Sequence, residues 1–266
     1  MDEIRQHTTE VEIAATPDQV FRAITEAEQI MRWFAPEVRV EPGPDGKMVG
    51  GSYVLSWGGA GSPSTISIWE PGRRFAAFKE RSTPYGYEGD APAETGSLQR
   101  LTVDYQIEAI EGGKTRLRLV HSGFGRGAGW DNEFESTRQG WPVFMRILKH
   151  SLERHPGVDS KTIYVSVPCP IEPQEAWKRF SLGDRKPGDR YSVRLSSGAT
   201  LEGVVSEYDP PENFAGVAEN LNDALVSLSC GPKSVNAVFT LWGPARDRAK
   251  EIEAEWTEGL KALIPA

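Results

Sequence analysis

Few residues in this chain have both the type and the spacing to do chemistry. His121 is the foremost. It ends a run that reads as a strand and is followed by Ser122-Gly123-Phe124-Gly125. An imidazole in that place can bind or protonate a ligand, or satisfy an acceptor at the end of a sheet. Ser122 is no matching nucleophile, because adjacent strand residues face opposite ways and a Gly-x-Ser-x-Gly elbow is absent. The histidines are His7, His121, His150 and His155, and the last two are five apart rather than the three or four that align ligands on a helix. No metal is expected. Asp131, Glu133 and Glu135 stand where negative charge favours a helix N-terminus. Gly58-Gly59-Ala60-Gly61-Ser62-Pro63 lacks the Lys-Ser/Thr ending of a phosphate loop and precedes a strand. It reads as a flexible hairpin connection. Cys169 and Cys230 have no metal or redox spacing; two buried free thiols are expected, with a disulfide as the alternative. No cofactor is expected.

Aromatic side chains are the other chemical resource. Tyr53, Leu55 and Trp57 share one strand face by alternation, and Trp141, Phe144 and Leu148 fall on one helical stripe. With His121 and Phe124 at the mouth, these eight residues form the candidate ligand-binding set. Apolar contact would supply affinity, and the Tyr53 hydroxyl, His121 and the Trp141 N–H would fix orientation. Gly123, Gly125, Gly127 and Gly129 are expected to give a movable rim.

The elements that must position this set are legible in outline. A strand is expected over 8–15. Thr16-Pro17-Asp18-Gln19 is a capping box with proline in the first turn, and a second short helix covers 28–34. Strands follow at 38–40, 52–57, 65–69, 74–78, 98–110 and 115–121, with a long loop over 82–95. A helix over 133–152 carries Phe134, Trp141, Leu148 and Leu152, and Gly140 and Pro142 predict a kink or a late start. Alternating strands bury one sheet face, so the long helix must cover it.

After Pro156-Gly157 the pattern repeats. Pro173 stands 156 residues after Pro17, Tyr191 stands 138 after Tyr53, and Tyr208-Asp209-Pro210 stands 139 after Trp69-Glu70-Pro71. A terminal helix is expected over 245–263. The fold class is therefore α+β, with a curved antiparallel sheet wrapped around a long C-terminal helix in two tandem units. The expected domains are 1–158, complete, and 159–266, reduced.

The chain has 266 residues and a formal net charge of −8. No basic run exceeds a pair, so nucleic-acid binding is not expected. No apolar run is long enough for a membrane span, and Met1 to His7 has no secretory character. A cytoplasmic location follows by default.

These residues carry a family resemblance. The quoted set is Ala14-Ala15-Thr16-Pro17-Asp18-Gln19-Val20-Phe21, Trp33-Phe34-Ala35-Pro36, Gly50-Gly51-Ser52-Tyr53, Trp69 to Phe75, His121-Ser122-Gly123-Phe124 and Gly140-Trp141 through Leu152-Glu153. In order and spacing it resembles the START-like, helix-grip (SRPBCC) superfamily, and within it the homologues of the ATPase activator of the ninety-kilodalton heat-shock protein. The resemblance implies an apolar cavity between sheet and helix and no shared catalytic residues. The second half lacks counterparts of Trp-Phe-x-Pro and His-Ser-Gly-Phe. The expected function is binding of a small, mostly apolar molecule in the first domain. The alternatives are a cyclase- or hydrolase-type enzyme using the same cavity and a stress-related protein-interaction module with a protein partner. The chain is expected to be a monomer or homodimer whose two units pack as an internal pseudo-dimer.

Overall fold

The computed structural model describes residues 4–58, 61–84 and 98–264. Most of the loop expected over 82–95, and Gly59 and Ala60 of the glycine-rich connection, lie outside the described residues. The chain divides into two compact units, Met1–Gly157 and Val158–Ala266.

In the first unit β1 (Gln6–Ile13) leads into α1 (Pro17–Thr25) and α2 (Ala27–Met31). The capping box forms: the Thr16 N–H donates to Gln19 Oε1 at 2.9 Å, and the Gln19 N–H donates to Thr16 Oγ1 at 3.3 Å. Five strands follow before the last, β2 (Glu37–Glu41), β3 (Ser52–Ser56), β4 (Ser62–Glu70), β5 (Arg74–Arg81) and β6 (Gln99–Ile110), and β7 (Lys114–Ser122) completes the sheet. The sheet is antiparallel with order β1-β7-β6-β5-β4-β3-β2.

The long helix α3 (Ala128–Arg154) packs against β1. It starts five residues before the expected position and runs unbroken through both Gly140 and Pro142. The late start is corrected. An internal proline costs roughly 3 kcal/mol. Burial of Trp130, Trp141, Met145 and Leu148 along the helix outweighs that, at about 1.5–3 kcal/mol per large apolar side chain.

The second unit comprises β8 (Ser160–Pro168), α4 (Pro173–Lys178), β9 (Arg190–Arg194), β10 (Thr200–Asp209), β11 (Asn213–Ala218), β12 (Ala224–Cys230), β13 (Ser234–Trp242), α5 (Gly243–Asp247) and α6 (Ala249–Leu263). Its antiparallel order is β8-β13-β12-β11-β10-β9, and α6 covers β8 and β13. The expected single terminal helix is divided at Arg248, whose backbone leaves the helical region at ψ 10°. Cys169 and Cys230 are free and buried, and burial pushes the Cys230 thiol up to about 12.

Repetition extends to irregularities. The β4–β5 ladder shifts register between Ile66 and Ile68, and the β10–β11 ladder shifts between Val205 and Glu207. Each of these residues stands 139 after its counterpart. Trp69 pairs with Phe75 as Tyr208 pairs with Phe214. Around each turn the same aromatic cluster forms. Phe75 meets Tyr53 at 5.0 Å and Trp69 at 5.8 Å, and Trp69 meets Phe21 at 5.3 Å. Phe214 meets Tyr191 at 5.0 Å and Tyr208 at 6.4 Å, and Tyr208 meets Trp177 at 6.0 Å. A shared bulge and a shared four-ring cluster are features of duplication, not of generic α+β packing.

Candidate ligand site

The inner face of the first sheet gathers His7 and Ile13 of β1, Leu117, Leu119 and His121 of β7, Leu101 and Tyr105 of β6, and Phe75 of β5, all buried. Opposite them α3 presents Trp141, whose Nε1–H donates to His121 Nδ1 at 3.1 Å. An indole nitrogen only donates, so His121 Nδ1 is the bare acceptor and a neutral ring carries its proton on Nε2. Burial, with smaller contributions from His7 and Arg81, pushes the His121 pKa down to about 3.

His7 lies directly across the ladder from His121, with ring centroids 5.5 Å apart. His7 Nε2 is 3.0 Å from Thr137 Oγ1 of α3. The Thr137 hydroxyl has backbone acceptors at Glu133 O, 2.9 Å, and Phe134 O, 3.1 Å. A helical threonine places its one proton on such a carbonyl, so its oxygen receives the His7 Nε2–H. That leaves His7 Nδ1 as an acceptor, and it is buried without a hydrogen-bond partner. Burial and Arg138 lower the His7 pKa, and Glu135 acts against them. Phe124 lies 4.5 Å from the His121 ring and 5.6 Å from His7, and Phe134 lies 5.3 Å from His7.

An aromatic seam runs from the surface to this pair. Trp57, 58% exposed, meets Phe34 edge-on at 5.2 Å. Phe34 meets Phe144 at 4.8 Å and Trp141 at 5.7 Å, and Trp141 meets Tyr105 at 6.2 Å.

The structure thus brings Trp57, Trp141, Phe144, His121 and Phe124 into one connected set. Leu148 is fully buried on α3, and Leu55 is half-buried in β3. Alternation does not sort β3 cleanly, because Val54 and Ser56 are buried as well as Tyr53. Two expected orienting groups have internal partners: the Tyr53 hydroxyl donates to Ile24 O at 3.3 Å, and the Trp141 N–H is held by His121. Two of the four glycines expected at the rim have no room for a side chain. A Cβ at Gly123 would lie 2.0 Å from Arg100 O, and one at Gly125 would lie 2.6 Å from the Trp130 indole, so both glycines serve close packing. His7 is the functional candidate that the sequence reading missed. Its signal was its parity with Val11 and Ile13, two inward residues of the same strand.

The helix start is tied by ion pairs of Asp131 with Arg5 and of Glu133 with Arg81. Among the described residues no three His, Cys, Asp or Glu side chains converge as metal ligands. A basin of about 450 Å³ opens on the opposite sheet face, lined by Glu10, Arg73, Arg74, Glu108, Arg116 and Arg118. Ion pairs inside it, of Arg116 with Glu10 and Glu108, make it a charged surface unlike the aromatic seam.

Residues 14–153 match the family described as Activator of Hsp90 ATPase homolog 1-like protein. The chain belongs to this family. Several solved structures are similar to this chain. The AHSA1-like protein RHE_CH02687 from Rhizobium etli is 28% identical, covering 56% of this chain and 82% of its own, with a TM-score of 0.39. The Aha1 dimer from Colwellia psychrerythraea is 18% identical over 57% of this chain and 99% of its own, TM-score 0.42. The di-domain ARO/CYC BexL from the BE-7585A biosynthetic pathway is 14% identical and spans both units, 98% of this chain and 99% of its own, TM-score 0.44. No curated protein matches the chain. Among the described residues no helix is long and apolar enough to cross a membrane.

Proposed function

We propose that the first unit binds a small, mostly apolar molecule between its sheet and α3. The helix-grip fold is capable of enclosing such a ligand. The observation that carries the reading is the aromatic seam, which connects an exposed Trp57 through Phe34 to the buried Trp141 and His121. Rings along such a path offer apolar area, worth about 25 cal/mol per Å² removed from water before the costs of binding. A cytoplasmic setting belongs to the same reading, supported by the two free buried thiols. Native mass spectrometry of gently purified protein tests it: a co-purifying small molecule is expected. Leu148→Phe, checked for folding by circular dichroism, should abolish its uptake. Unchanged uptake by the folded variant would count against this site.

A protein-interaction role is the second reading, favoured by the exposure of Trp57. Trp57→Ala would then weaken capture of a protein partner by protein from which no small molecule co-purifies.

A further inference from the structure

The two units supply an internal comparison for the histidine pair. Both ladders can be traced outward from the equivalent Phe75 and Phe214. Phe75 pairs with Tyr105, Tyr105 with Leu119, and Leu119 with Thr9. Phe214 pairs with Leu228, Leu228 with Ala237, and Ala237 with Val165. Val165 stands 156 residues after Thr9, the same spacing that relates the first helices of the two units. Two positions along, the His7–His121 pair corresponds to the Ile163–Phe239 pair. Phe239 is fully buried and packs on Trp256 of α6 at 5.0 Å, as His121 packs on Trp141 of α3. The architecture therefore closes with an apolar pair at this place. In the first unit the same place holds two imidazoles, and burying unpaired polar nitrogen is costly.

We infer that His7 and His121 are a recognition pair for a neutral, hydroxyl-bearing apolar ligand, whose hydroxyl donates its proton to His7 Nδ1 beside the His121 ring. The inference rests on the proposed ligand-binding role of the first unit and names the ligand's chemistry. Three observations carry it. His7 Nδ1 is buried and unpartnered, and its ring is fixed by Thr137. The only other polar group on its cross-strand neighbour is His121 Nε2, since Nδ1 is taken by Trp141. The rings around the pair, Phe124 and Phe134, supply apolar contact and no competing donor. A carboxylate cannot satisfy Nδ1, because it has no proton to give, and the charge of a carboxylate or a phosphate would be stranded beside neutral rings. A hydroxyl gives the missing proton and remains neutral.

The test uses the full chain labelled with nitrogen-15 in its histidines. It is titrated with 2-naphthol and with 2-methoxynaphthalene, which keeps the rings and the oxygen but has no proton to donate. 2-Naphthol should bind about tenfold more tightly or better, the usual scale for leaving a buried acceptor unpaired, and it alone should shift the His7 Nδ1 resonance toward a hydrogen-bonded value. His7→Ile installs the residue that the second unit carries at this place. It should erase the preference, so that 2-naphthol and 2-methoxynaphthalene bind alike. Equal binding of the two probes, or a preference that survives His7→Ile, overturns the inference and leaves apolar binding standing. Absence of binding by either probe overturns both. Should His7→Ile fail to fold, the nitrogen shift in the unsubstituted protein decides.

Discussion

His121 should make the first unit acid-sensitive in a way one substitution removes. Its ring is buried, accepts from the Trp141 N–H, and resists protonation down to about pH 3. The unfolded ring takes up its proton near pH 6.5. Between those values the unfolded state binds more protons, so stability falls as pH falls. For this single group the loss between pH 7.5 and pH 4.5 is about 3 kcal/mol by linkage. Two other groups held below their ordinary values act in the same direction as pH falls, His7 on β1 and Glu135 on α3. The informative quantity is therefore a difference between two proteins. His121→Asn keeps an acceptor oxygen for Trp141 and cannot titrate. Urea unfolding followed by fluorescence at a series of pH values should show the variant losing about 3 kcal/mol less than the unsubstituted chain over this range. Identical acid limbs would refute a buried, neutral His121. A variant that is more acid-sensitive would refute the sign.

The duplicated aromatic clusters yield a paired prediction. Tyr53→Phe removes a hydrogen bond to Ile24 O and should cost about 0.5–1.5 kcal/mol. Tyr191→Phe removes a buried hydroxyl with no partner and should be neutral or stabilising by up to about 1 kcal/mol; urea unfolding of both variants reads the contrast. Thr16→Ala removes the cap of α1 and should cost about 1 kcal/mol, measured the same way. Gly123→Ala, at φ 89° with Arg100 O in the path of a Cβ, should lower the thermal midpoint of the first unit more than Gly46→Ala, where nothing lies within 4 Å.

The parts of the fold that sequence revealed are those set by neighbouring residues. The Thr16–Gln19 box, the Glu70-Pro71-Gly72 turn and the hairpin at Gly112-Gly113 each encode their geometry locally. The repeat was legible because Pro17, Tyr53 and Trp69 kept their spacing to Pro173, Tyr191 and Tyr208. The start of α3 was not, because Gly123 to Gly129 reads as a loop and only packing of Trp130 explains the early helix. The site was legible as a set of aromatics and less so as a set of polar groups. His121 stood out by its motif. His7 lies just before the stretch, 8–15, that reads as the first strand, and its importance comes from a cross-strand register about a hundred residues away. Tyr53 and Trp141 looked like free donors because their internal acceptors, Ile24 O and His121 Nδ1, are set by tertiary contact.

The shared bulge gives the two copies a common ruler, and along it their lengths disagree only in certain places. The spacing between equivalents is 156 at Pro17/Pro173, 138 at Tyr53/Tyr191, 139 at Phe75/Phe214, 123 at Tyr105/Leu228 and 118 at Leu119/Ala237. The first large step removes α2 and β2, which have no counterpart before β9, and the others fall between β11 and β12 and in the hairpin that precedes β13. From Tyr53 to Phe75 the ruler slips by a single residue. Evolution has thus run a deletion experiment inside one polypeptide, and its result is a map of splice points. Foreign sequence or a reporter peptide placed between β5 and β6 enters where the chain has already shown it can change length, whereas an insertion between Trp69 and Phe75 cuts a stretch that neither copy has altered.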